Sequence, residues 1–129
     1  LSVVRLLNLI QDVTVGKLGA SEVSRLSRLT AEKEKECQIV KSEVVIIWGD
    51  YFKEPQIVEY PNIHDLTHSI MRCASKCKQD LDASNGEELL ALVNQFADIF
   101  WQSKGYRTEL LAAPYPPSLG VVKPVLEHV

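Results

Sequence analysis

The 129-residue sequence has few of the features that announce a catalytic motif. There is no G-x-S-x-G elbow to expose a serine nucleophile, and neither Gly16 nor Gly19 is followed by the G-K-[ST] of a phosphate-binding loop. No Asn-x-Ser/Thr sequon is present, and the cysteines, Cys37, Cys73 and Cys77, are odd in number; neither fact suits a secreted disulfide framework. Long uncharged apolar runs are missing too. The N-terminal LSVVRLLNLIQDV is interrupted by Arg5, Asn8, Gln11 and Asp12, which excludes a signal-peptide core and a membrane span there. An intracellular setting, cytoplasmic or nuclear, is the expectation. The first residue is not Met, so the chain reads as a segment of a larger protein.

An excess of positive charge is also absent. The formal net charge is −3, and in the most basic stretch Arg25, Arg28, Lys33 and Lys35 alternate with Glu22, Glu32, Glu34 and Glu36. Without a net positive field there is little to hold a nucleic-acid backbone, and the AEKEKE run reads as solvated helix surface. A nucleic-acid-binding helical module stays as an alternative reading of those four cations.

What the sequence does have is apolar residues at helical spacing. At 46% hydrophobic and 24% charged residues the composition is that of a folded soluble domain, long enough to bury about two-thirds of its unfolded surface. From Glu87 to Ser103, Leu89, Leu90, Leu92, Val93, Phe96, Ile99, Phe100 and Trp101 cover an arc of roughly 200° at the helical repeat, which predicts a central helix wrapped by several neighbours. Its polar strip, Asn94, Gln95, Asp98 and Gln102, is expected to face water. Residues 2–14 predict a first helix capped by Ser2, and Ser21–Thr30 a shorter amphipathic piece, with Thr30 as a fresh cap. Cys37–Phe52 fits a helix with Val40, Val44, Ile47, Trp48 and Tyr51 on one face. Its VVIIW also suits a buried strand, but no second such run exists to pair with it, and helix is the expectation.

Pro55 and Pro61 bracket a segment expected to be extended, and no proline follows until Pro114, leaving room for two unbroken helices. The first starts near Asn62 and runs to about Leu81; Gly86 is expected to separate it from the central helix. After Gly105 a helical turn over Thr108–Ala113 precedes a proline-punctuated tail. The expected fold is all-α, a compact bundle of about four to five helices over residues 1–113, with residues 114–129 an extended tail that packs on the bundle or binds a partner.

One motif invites chemistry. His64-Asp65-Leu66-Thr67-His68 places two imidazoles four residues apart on a helix, a spacing that can chelate Zn²⁺ with the carboxylate as base. A small zinc-dependent hydrolase is therefore the rival reading, although no motif supplies a third ligand. Cys73 and Cys77 lie on the opposite side of the same helix, with Leu66, Ile70 and Leu81, where thiols pack as small apolar groups. No metal or other cofactor is assigned on this pattern. The leading expectation is a non-enzymatic scaffold or adaptor domain that binds a protein partner or a second copy of itself. Trp48, Phe52, Phe100 and Trp101, with Tyr115, Pro116 and Pro117 of the polyproline-like tail, are its candidate contact residues.

Overall fold

The computed structural model describes residues 1–126, so the last three residues of the tail lie outside the described residues. The elements follow as α1 (Ser2–Thr14), α2 (Ala20–Tyr51), α3 (Glu54–Glu59), α4 (Ile63–Gln79), α5 (Ala83–Ser103), β1 (Arg107–Ala112) and β2 (Gly120–Val125). The long helices form a ring in which α1 and α4 each pack against both α2 and α5. Apolar spacing dictates that ring. Val3, Val4, Leu7, Ile10 and Val13 are buried on α1, and Ile63, Leu66, Ile70, Cys73, Ala74 and Cys77 on α4, both at three- and four-residue steps.

Helix α2 is one unbroken rod of 32 residues, about 48 Å at the helical rise. Thr30 lies in its interior and caps nothing, because no proline or glycine between Ala20 and Trp48 gives the chain a reason to stop. The VVIIW run belongs to the same helix. At the far end the segment expected to be extended is the short helix α3, with Pro55 in its first turn, where a missing N–H costs nothing. The Gln56 side chain closes that turn by accepting from the Lys53 N–H at 3.0 Å.

Helix α5 starts earlier than expected, at Ala83, with Asp82 as its cap. Gly86 lies inside the helix and breaks nothing. Its lack of a side chain serves the packing of α1, since a Cβ there would sit 2.8 Å from Leu7 Cδ1 and 3.3 Å from Val4 Cα. The glycine is where two backbones meet.

The tail corrects the all-α expectation. Residues 107–112 form a strand and not a helical turn, paired antiparallel with β2 from Arg107↔Val125 to Ala112↔Gly120. The protein is mostly helical with a small two-stranded sheet. An isolated hairpin is marginal in water, and this one leans on α5. Asn94 Nδ2 donates to the Gly120 carbonyl and Asn94 Oδ1 accepts from the Val122 N–H, each at 2.9 Å. Thr108 donates its hydroxyl proton to Asp98. Of the polar strip expected to face water, Gln95 and Gln102 do so, while Asn94 and Asp98 hold the hairpin.

Candidate functional site

The HDLTH motif lies in the first two turns of α4, with His64, Asp65 and His68 exposed and Leu66 and Thr67 buried. Trp48 of α2 lies against it edge-on, and its indole Nε1–H donates to His64 Nδ1 at 3.0 Å. An accepting Nδ1 places the imidazole proton on Nε2, so neither nitrogen offers a metal a free lone pair in this state. Among the described residues no three His, Cys, Asp or Glu side chains converge as metal donors. The zinc-hydrolase reading thus lacks both a free His64 and a third ligand.

The seven candidate contact residues do not form one surface. Phe52 is buried in the core and stacks edge-on with Tyr51 and Phe96, at ring separations of 5.1 and 5.6 Å. Trp48 turns toward His64. Phe100 and Trp101 do come together, ring centres 5.1 Å apart, beside an apolar groove of about 380 Å³ between α2 and α5 that Val44, Ile47, Val93 and Phe96 also line. Tyr115, Pro116 and Pro117 sit in the connection between β1 and β2, with Tyr115 exposed.

The arrangement least visible in the sequence lies between α2 and α4. Lys33, read above as part of a solvated basic run, is fully buried. Its Nζ donates to the carbonyl oxygens of Lys78 and Asp80, at 3.0 and 2.9 Å, and so caps the end of α4. That removes Lys33 from the four cations of the nucleic-acid reading. One turn along α2, Cys37 is buried in the same core cluster as Cys73 and Cys77 of α4. The hydrogen bond from Cys77, followed by the charges of Lys33 and Lys78, draws the Cys37 thiol below its ordinary range. Burial pushes Cys73 up; the bond to Cys37 and burial push Cys77 up. The i, i+4 spacing of Cys73 and Cys77 was legible, but the lysine and the third thiol, 40 residues upstream, were not.

The family model for nickel-containing superoxide dismutase matches residues 1–104, all of the helical part. The superoxide dismutase [Ni] of Streptomyces coelicolor is 33% identical over 78 residues, 60% of this chain and 60% of that protein. Its counterpart from Streptomyces seoulensis is 32% identical over 77 residues. The aligned stretch thus spans about 60% of the length of these curated relatives. A native nickel superoxide dismutase structure superposes with a TM-score of 0.68 at 27% identity, covering 80% of this chain and 86% of that one. The apo form of such an enzyme superposes equally well, with 90% of its chain covered. These likenesses overturn the expectation of a non-enzymatic scaffold or adaptor. Part of the wide apolar arcs on which that expectation rested is spent on packing helices against one another, as the burial of Phe52 and Phe96 shows. Matched in sequence over its helices and in the path of its backbone, the chain belongs to the nickel-containing superoxide dismutase family.

Proposed function

We infer that the protein containing this chain is an oxidoreductase that acts on superoxide, and the family match over residues 1–104 carries the reading. Nickel favours imidazole and thiolate donors, and a catalytic metal needs an open position besides. The described side chains do not fit it. Cys37, Cys73 and Cys77 are enclosed between helices, and His64 is engaged by Trp48. A nickel ion in this protein would need donors beyond these groups. What these residues supply is the ring of helices. The three unpaired thiols support the intracellular placement.

The test measures superoxide removal and nickel content on the full protein, produced with nickel in the medium. Dismutation that rises with the nickel bound is the expected result. A folded protein that takes up nickel without removing superoxide, or takes up none and is inactive, overturns the reading.

A second reading concerns assembly. The α2/α5 groove, with Ile39 and Ile46 exposed on α2, supports self-association of the chain. Light scattering giving a mass of one chain at all concentrations would end that reading. Among the described residues no helix is long and apolar enough to cross a membrane.

A further inference from the structure

The hairpin lies beyond residue 104, where the match to the family model ends, and its two edges differ. In an antiparallel ladder the N–H and C=O of one residue point the same way, and successive residues point to opposite sides. Asn94 takes the Val122 N–H and the Gly120 carbonyl, so the even-numbered residues of β2 face away from β1. The Ala113 N–H, which donates to the Leu119 carbonyl at 3.2 Å, continues the inner ladder through an odd-numbered pair. With Arg107↔Val125, Glu109↔Lys123 and Leu111↔Val121 bonded on the inside, the backbone groups of Thr108, Leu110 and Ala112 turn to the outer edge of β1. Among the described residues nothing pairs with them there.

Strand edges that must stay single are guarded by proline, by charge or by a covering element. The outer edge of β2 is guarded twice, by Asn94 and by Pro124, which has no N–H to offer. The outer edge of β1 is bare. Thr108, Leu110 and Ala112 are uncharged, none is proline, and Leu110 is 66% exposed. A two-stranded sheet is marginal in water, and added strands stabilise it.

We propose that β1 pairs antiparallel with β1 of a second copy of this chain, about a two-fold axis at Leu110, so that two hairpins become one four-stranded sheet. Leu110 then lies opposite its own counterpart, and Thr108 opposite the second copy's Ala112. Every outward N–H of both strands finds a carbonyl. The neighbouring registers fail for identifiable reasons. An axis at Thr108 lays Ala112 against Lys104, where the chain is still leaving α5, and an axis at Ala112 lays Leu110 against Pro114, which cannot donate. The edge is short, so the pairing is weak and forms as concentration rises. It is separate from the α2/α5 groove and from the superoxide reading, and needs neither.

The test uses the full chain. In the unaltered protein, amide exchange at Thr108, Leu110 and Ala112 should slow as concentration is raised, while Glu109 and Leu111, already bonded within the hairpin, do not change. Association through the groove would raise the mass without slowing those three amides. Residues opposite one another in a hydrogen-bonded antiparallel pair have Cα atoms about 5.5 Å apart, within disulfide reach. Leu110→Cys should therefore oxidise in air to a dimer that dithiothreitol releases, and Ala112→Cys should not. Leu110→Pro removes the central outward N–H and no inner ladder bond, and should abolish the concentration dependence at Thr108 and Ala112. Exchange independent of concentration in the unaltered chain, equal cross-linking at the two positions, or a concentration dependence that survives Leu110→Pro would each overturn the proposal. Should the variants fail to fold, exchange in the unaltered chain decides alone.

Discussion

Lys33 Nζ lies 2.9 Å from the carbonyl oxygen of Asp80, across the packed faces of α2 and α4. The lysine satisfies two carbonyls that the end of α4 leaves without helical partners, and its charge suits the negative end of that helix. Replacing it with methionine keeps most of the volume and leaves both acceptors bare. Lys33→Met is expected to cost about 2–4 kcal/mol in denaturant unfolding. A change under about 0.5 kcal/mol, the level of an ordinary surface substitution, would show that water replaces the amine without penalty.

Asn94 ties the hairpin to α5 through both ends of its amide. Asn94→Ala removes two hydrogen bonds and leaves the Val122 N–H unpaired, at a cost of about 1–3 kcal/mol. Hydrogen exchange should quicken in β1 and β2 while α4 stays protected. Equal quickening in α4 would mean that the hairpin and the ring of helices open as one unit.

Two glycines should answer the same substitution with opposite signs. Gly86→Ala pushes a Cβ into the enclosed Leu7 and Val4, and overpacking at about 1–3 kcal/mol exceeds the roughly 1 kcal/mol that alanine gains in a helix. Gly49 lies near the end of α2 with nothing within 4 Å of the added carbon. Gly49→Ala is therefore expected to stabilise by up to about 1 kcal/mol. Thermal melts of the two variants, moving in opposite directions from the parent, check both.

The start of α5 should respond to acid. Asp82 accepts from the Ser84 backbone N–H at 2.9 Å and from its hydroxyl at 2.8 Å, and these bonds, the backbone one first, hold its carboxyl below the usual range. A depressed folded pKa means that the stabilisation is full above the unfolded value, about 3.9, and is lost as pH falls through the lower folded value. Asp82→Asn keeps an acceptor at the cap and removes the titration. Relative to the intrinsic rate at each pH, the amides of Ser84 and Asn85 should lose protection below about pH 4 in the parent and keep it in the variant.

The helices were legible because their cause is local. Apolar residues at three- and four-residue steps in α1, α4 and α5 define a face whatever lies opposite, and the absence of proline from Asn62 to Ala113 leaves those helices unbroken. The hairpin was not legible. Residues 107–112 and 120–125 have strand character only once paired, and the pairing is held by Asn94, which on a helical wheel is just a polar residue. The family membership escaped a reading by motif for a related reason: among the described residues no three metal donors converge, and likeness is spread thinly over the ring.

By itself the sequence determined that the chain folds mainly as amphipathic helices and which face of each turns inward, because side-chain period and hydrophobicity are properties of consecutive residues. Tertiary structure alone decided that Lys33 in AEKEKE is buried, that Cys37 shares a core with Cys73 and Cys77, and that Asn94 and Asp98 hold a hairpin. Each of those depends on which helix lies opposite. A lysine among glutamates is solvated or enclosed according to whether a neighbouring helix ends beside it, and here α4 does.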